Sequence, residues 1–269
     1  MRDQREADSG VIKGAETIDL QEEGSRGVLL LHGFGDTPQT LSLLARRLHK
    51  TGYSVLAPLL PGHGRSMREF AKSNADQWVD AARLSLTELR RRSSDTSIVG
   101  LSMGGALAVV LAAEADVTAL ALVAPYLGMP LQLRLAAATH WIWGRAAGAV
   151  NARNPLSIHD PIERERNLAY GAVTGAALSE LWKIVRRARK ALPAVTAPTL
   201  IIQSREDPRI SMRVAESALE MLGAEEKKLV QTEGSGHIIT VDYGRERVFS
   251  EVGSWLAAHT TRGATAAGD

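Results

Sequence analysis

The stretch SIVGLSMGGALAVVLAA, Ser97–Ala113, changes character in its middle. Its first residues are a short apolar run, as in a strand buried on both faces. Its last residues are alanine, leucine and valine without a break, as in a buried helix. Ser102 stands at the junction, with Gly100 two residues before it and Gly104 two after. A serine hydroxyl is a poor nucleophile until a base removes its proton. A tight strand-to-helix turn presents that oxygen at the sheet edge, and the flanking glycines leave room where a Cβ would collide. The helix that follows points its N-terminus at the site, which favours developing negative charge. Gly100-Leu101-Ser102-Met103-Gly104 is thus a Gly-x-Ser-x-Gly motif in the strand–turn–helix context that the motif requires.

The same rhythm extends in both directions. Val28–Leu31 is an apolar run ending in the glycines of LHGFG. A helix follows with Leu41, Leu44, Ala45 and Leu48 on one face, Asp36 or Thr37 as its cap and Gly52 as its stop. YSVLAPLLPG is another short strand, and Asn74–Arg92 is an amphipathic helix capped by Asn74. Further strands fall at Val117–Pro125, Thr199–Ile202 and Lys228–Val230, with helices in SMRVAESALEMLG and RERVFSEVGSWLAAH. VIKGAETIDL, Val11–Leu20, reads as an edge strand. Alternating strands and helices predict an α/β fold, a mostly parallel central sheet flanked by helices. Right-handed crossovers bring the C-terminal strand ends to one edge, where ligands bind. The segment 126–193 breaks the rhythm. It shows no buried strand, and Leu178, Leu181, Trp182, Val185 and Ala188 share one helical face. It predicts a small helical cap inserted into a core made of residues 1–125 and 194–269.

The composition is that of an ordinary globular protein, 45% hydrophobic and 23% charged with a formal net charge of +2. The absence of cysteine excludes disulfides, thiolate metal sites and cysteine nucleophiles, and no metal-ligand cluster is visible. The densest basic group, Arg186–Lys190, reads as a solvated helix face, so nucleic acid is not expected as a partner. No run reaches the roughly 20 apolar residues of a membrane span. The polar opening MRDQREADSG does not read as a secretory signal, and a cytoplasmic setting is expected. TRGATAAGD, at the other end, is expected to fray.

A serine nucleophile needs a base, and the base an orienting acid, in the chain order Ser, Asp or Glu, His. Among the histidines after Ser102, His140 and His159 fall in the cap and His259 near the end. His237 falls in the glycine-rich loop EGSGHIIT after a core strand and is the expected base. Asp207, just after the strand in IIQSREDPRI, is the expected acid, with Glu206 as fallback; Glu233 and Asp242 lie too near the His237 loop. The Met103 N–H and, from LHGFG, the Phe34 N–H are the expected oxyanion donors. His32 reads as a structural side chain of its loop.

LLLHGFGD, APLLPGHGRS, GLSMGGALA, APTLIIQSREDPRI and GSGHIITVD, in this order, resemble the α/β-hydrolase superfamily, and within it small bacterial carboxylesterases and monoacylglycerol lipases. The likeness spans Arg26–Pro125 and Ala194–Ala258. It implies an eight-stranded core with a cap, and ester hydrolysis by Ser102, His237 and Asp207 on a small-molecule ester without a cofactor. It also implies a structural role for His63. In this reading Trp141, Trp143, Leu181 and Trp182 of the cap are candidates to line the acyl pocket.

Overall fold

The apolar runs pair side by side, with the Ser102 strand at their centre. The computed structural model describes residues 10–260, apart from the side chains of residues 145 and 146. The TRGATAAGD end and all but the last residue of the polar opening lie outside the described residues. In chain order the elements are β1 (Ile18–Leu20), β2 (Arg26–Leu31), α1 (Ser42–His49), β3 (Ser54–Ala57), α2 (Met67–Lys72), α3 (Ala75–Arg92), β4 (Asp95–Leu101), α4 (Met103–Glu114) and β5 (Leu120–Val123). The segment expected to form the cap follows, with α5 (Leu131–Ala138), α6 (His140–Ala147), β6 (Ala149–Asn151), α7 (Pro161–Arg166), β7 (Ala172–Thr174) and α8 (Gly175–Ala191). The core resumes with β8 (Thr199–Ser204), α9 (Met212–Met221), β9 (Lys227–Thr232) and α10 (Arg245–His259).

Seven strands form one sheet in the order β1-β3-β2-β4-β5-β8-β9. Every pair is parallel except β1 with β3 at the edge. The expected Val11–Leu20 strand is therefore short. The chain turns at Gly14, with φ +90°, before β1, and the Ile12 N–H donates to the Gly64 carbonyl. Among the described residues the main sheet has seven strands where the resemblance implied eight.

Side chains along β2 and β4 alternate between two cores. Leu29, Leu31 and Ile98 face one, and Val28, Leu30 and Val99 the other, all fully buried. Each such side chain contributes about 1.5–3 kcal/mol. α4 is buried from Met103 to Ala112, between the sheet, α3 and α8, which is why it is apolar all round. Leu41, Leu44, Ala45 and Leu48 are buried as their spacing predicts. The start of their helix differs. Pro38–Leu41 forms a 3-10 turn with Thr37 before it, and Asp36 accepts the Thr40 hydroxyl at 2.8 Å instead of capping a helix. Asn74 does cap α3, in a reciprocal pair with Gln77. His259 is the last residue of α10, its Nδ1 2.7 Å from the Trp255 carbonyl.

The cap leaves the sheet after β5 and returns at β8, two adjacent strands. It is not wholly helical, because β6 and β7 form an antiparallel ribbon with Val150 opposite Val173. Its residues are exposed or half-buried, so the ribbon shows none of the continuous apolar character that marks a buried strand. Leu178, Leu181, Val185 and Ala188 pack α8 against α4, with Trp182 half-buried at the flank. The basic group of α8 is not simply solvated. Arg187 reaches Glu114 at 2.8 Å, and Arg189 donates to the Leu127 carbonyl at 3.1 Å. Among the described residues no helix is long and apolar enough to cross a membrane.

Candidate active site

Ser102 is held in a conformation that side chains rarely adopt, φ 55° and ψ −117°. The close fit of strand and helix enforces it. A Cβ on Gly100 would run into the Gly104 backbone, and one on Gly104 into the Leu31 carbonyl. The Ser102 N–H donates to the Val123 carbonyl at 3.0 Å, which ties the turn to β5.

The Ser102 Oγ lies 2.8 Å from His237 Nε2, and His237 Nδ1 lies 2.7 Å from Asp207 Oδ2. A carboxylate only accepts, so Nδ1–H is the donor and Nε2 is free to take the serine proton. Burial raises the Asp207 carboxyl. The facing His237, with its charge and hydrogen bond, and the N–H groups of Arg209 and Ile210 outweigh burial and hold it below the ordinary carboxylate value. Those N–H groups reach Asp207 Oδ1 at 2.7 and 3.0 Å, and Gln203 donates to Oδ2 at 2.9 Å. Glu206 makes no such contact. It accepts the Gly234 N–H at 2.6 Å and so braces the histidine loop from outside.

That loop has a second brace, which the sequence reading passed over. Asp242 is fully buried, and its two carboxylate oxygens accept the N–H groups of His159, Asp160, Gly236 and Tyr243 at 2.8–2.9 Å. It clamps the cap backbone at His159 and Asp160 onto the residue before His237. An aspartate five residues after the histidine was the available signal; nothing in the sequence showed where its oxygens point.

Across from the histidine, the LHGFG loop brings Gly33 against the nucleophile, and a Cβ there would stand 3.4 Å from the Ser102 Cβ. The Phe34 N–H donates to no described residue, and the Met103 N–H opens α4 without an intrahelical acceptor. Phe34 is fixed by edge-on packing against Phe70 and Trp78, with centroids 5.0 and 6.0 Å away. His32 spans the loop. It takes the Leu60 N–H on Nε2 at 3.1 Å and donates from Nδ1 to the Gly33 carbonyl at 2.9 Å. Burial lowers its pKa to about 4, so it stays neutral. His63 is likewise buried, donates to the Pro61 carbonyl and is pushed well below its ordinary value, chiefly by burial. Tyr170 of the cap, also unforeseen, donates to the Gly62 carbonyl at 2.8 Å and fastens the cap to this side.

Above Ser102 and His237 lies a cavity of about 430 Å³. Phe34, Leu133, Trp143, Leu178 and Leu181 make much of its apolar wall. Of the four proposed cap contacts, Trp143 and Leu181 line it. Trp141 does not, being 72% exposed on the far side of α6. Trp182 does not either; the Arg134 guanidinium covers its ring, 5.0 Å from the centroid. With about 3.6 residues per helical turn, Trp141 and Trp143 of α6, and Leu181 and Trp182 of α8, point in different directions.

A parallel sheet with a strained serine at its central strand end, hydrogen-bonded to a histidine and through it to an aspartate, is the arrangement of an α/β hydrolase. The chain belongs to the family described as serine aminopeptidase, S33, whose family model matches residues 23–243. It is 29% identical over 252 residues to a thermostable monoacylglycerol lipase of Bacillus sp. strain H-257, spanning 93% of this chain and 97% of that protein. It is 23% identical over 237 residues to a carboxylesterase of Bacillus subtilis strain 168, spanning 87% and 93%. A solved structure from work on two metagenome-derived lipolytic enzymes, LipS and LipT, superposes with a TM-score of 0.85 at 30% identity, over 93% of this chain and 100% of that one.

Proposed function

We propose that this chain hydrolyses carboxylic esters of short to medium apolar acyl chains, monoacylglycerols among them, through an acyl-enzyme on Ser102. The observation that carries the reading is the apolar cavity of about 430 Å³ set directly on the hydrogen-bonded Ser102, His237 and Asp207. The names of the lipase and carboxylesterase relatives agree with it.

The steps follow from the geometry. Ser102 Oγ attacks the ester carbonyl while His237 Nε2 takes its proton. The N–H groups of Phe34 and Met103 receive the negative charge that forms on the carbonyl oxygen. The carbonyl–alkoxy bond breaks, and His237 returns the proton to the leaving alcohol. Water then repeats the cycle and frees the acid. Asp207 keeps Nδ1 protonated and stabilises the imidazolium between transfers. In this reading residues 126–193 are the cap and shape the acyl pocket through Trp143 and Leu181, while residues 1–125 and 194–269 form the core.

The family description raises peptide-bond cleavage at an amino terminus. Such a substrate brings an ammonium group into the pocket, and its binding calls for an available carboxylate. The one carboxylate among the described lining residues, Asp36, is buried and engaged with Thr40. Arg209 on that wall is a cation that forms no ion pair with a carboxylate among the described residues, and it opposes an ammonium. This favours the ester.

The test is hydrolysis of a p-nitrophenyl ester series and of monoacylglycerols, wild type beside Ser102→Ala, with an aminoacyl p-nitroanilide as control. Ester turnover is expected, and Ser102→Ala lowers kcat by a factor on the order of 10⁴ or more. Asp207→Asn is expected to be far more damaging than Glu206→Gln. Unchanged turnover in Ser102→Ala refutes the mechanism, and faster anilide than ester cleavage refutes the substrate class.

A further inference from the structure

Beside the apolar cavity lies a second recess of about 570 Å³, and the two share wall residues, among them Ser157, Arg209 and Ile238. Ile238 follows the base in sequence, and Arg209 stands two residues after the acid. The shared wall therefore adjoins the loops that carry His237 and Asp207.

The chemistry of the second recess is unlike that of the acyl side. Arg153, Arg164 and Arg209 all line it, against a single carboxylate among the described lining residues, Glu165. None of the three arginines lies within ion-pair distance of a carboxylate among the described residues. Arg209 and the exposed Arg164 are nonetheless held by hydrogen bonds. Arg209 donates from Nε to Ser157 Oγ at 3.0 Å and from Nη2 to the Ala152 carbonyl at 2.7 Å. Arg164 donates from Nη1 to the carbonyls of Pro155 and Ile158, at 3.1 and 3.2 Å. The stem of Arg153 lies over Gly171, where a Cβ would overlap it. Arg209 is half-buried, and burial pulls its pKa below the ordinary arginine value against the opposing influence of Tyr126 and Asp207. A partly desolvated guanidinium fixed by neutral acceptors, with its nearby carboxylate Asp207 engaged by His237 and outside ion-pair distance, is a ready-made seat for an anion, because charge-assisted bonds to a carboxylate or phosphate are the strong ones.

We infer that the arginine-lined recess binds an anionic group on the alcohol half of the substrate, so that the preferred esters join an apolar acyl chain to an alcohol bearing a carboxylate or phosphate. The inference rests on the ester-hydrolase reading for its turnover and stands apart from it for binding. Bond changes are those given above: the Ser102–acyl bond forms, the acyl–alkoxy bond breaks, and the anionic alcohol leaves with the proton from His237.

The experiment compares octanoylglycerol, octanoyl glycerate and octanoyl glycerophosphate, which share an acyl chain and differ in charge. Their kcat/KM values are measured with wild type, Arg209→Gln and Arg153→Gln/Arg164→Gln, and their Kd values with Ser102→Ala by calorimetry. Each result is read as the ratio of anionic to neutral ester, so a general loss of activity or stability cancels. Wild type is expected to favour at least one anionic ester by about tenfold or more, a ratio that Arg209→Gln brings to about one. The double variant, which leaves the Arg209 anchors in place, is expected to reduce the ratio several-fold. Preference for the glycerate alone assigns a carboxylate, and for the glycerophosphate alone a phosphate. Turnover of all three esters with equal ratios in wild type and Arg209→Gln overturns the anion site and leaves ester hydrolysis standing. Selective binding to Ser102→Ala without turnover by wild type does the reverse.

Discussion

The serine turn and the cap above it are built by opposite means. At the turn, backbone meets backbone: Gly100, Gly104 and the Leu31 carbonyl leave no room for a single added carbon. In the cap, α5 and α6 expose Leu131, Leu135, Trp141 and Ile142, and the ribbon β6–β7 is held by three residue pairs. Within the cap, α8 packs along α4 through Leu178, Leu181, Val185 and Ala188, whereas the segment before it is fastened at points, through Asp242 and Tyr170. Close packing fixes the reacting atoms within tenths of an ångström, as a proton relay requires. Point fastening lets the walls of a pocket change without disturbing that relay. Chemistry is thereby confined to one region and selectivity to the other.

Gly104→Ala breaks this contrast most severely. Its Cβ meets a strand carbonyl that cannot rotate away, so a loss of about 4 kcal/mol or more is expected, read as a collapse of the urea midpoint or of soluble yield. A change below about 1 kcal/mol would show that the turn yields as easily as the cap. Asp242→Asn attacks a fastening point. The amide NH₂ then faces backbone donors in place of a carboxylate oxygen, and about 2–4 kcal/mol of stability is lost. Because the clamp holds the residue before His237, kcat is expected to fall more than KM rises.

Asp36→Asn sharpens the comparison from within the rigid region. Burial raises the Asp36 carboxyl from an ordinary 3.8 to about 6, and its Oδ1 has no hydrogen-bond partner among the described residues. Between those values the folded chain holds a proton that the unfolded chain has released, so this group's contribution to stability falls as pH rises through the window. Asparagine keeps an oxygen for Thr40 and does not ionise. The variant is expected to be more stable than wild type by about 1–3 kcal/mol above the window, with the difference fading toward its acid end. Urea melts across the range decide it; a difference that ignores pH would mean that Asp36 titrates normally in the fold. The smallest effect belongs to the cap. Trp141→Ala is expected to change stability by no more than about 0.5 kcal/mol and to leave the acyl-length optimum in place, whereas Trp143→Ala moves the optimum to longer chains. Equal shifts in both variants would place Trp141 in the pocket after all.

The sequence by itself determined the sheet, the turn and the serine and histidine that meet there. Buried strands are written as uninterrupted apolar runs such as Val28–Leu31, and a chain that must place a serine between interlocked backbones has to write glycines around it. Only tertiary structure decided which of Glu206 and Asp207 faces His237, since adjacent side chains point apart once the loop is folded. The same holds for Trp141 against Trp143 and for the four N–H groups gathered by Asp242. It also decided that Arg209, an ordinary residue in EDPRI, stands between two recesses outside ion-pair distance of any carboxylate among the described residues. Local pattern encodes what repeats along the chain. The direction of a side chain in a loop, and the partners it meets from distant segments, exist only after the chain has closed on itself.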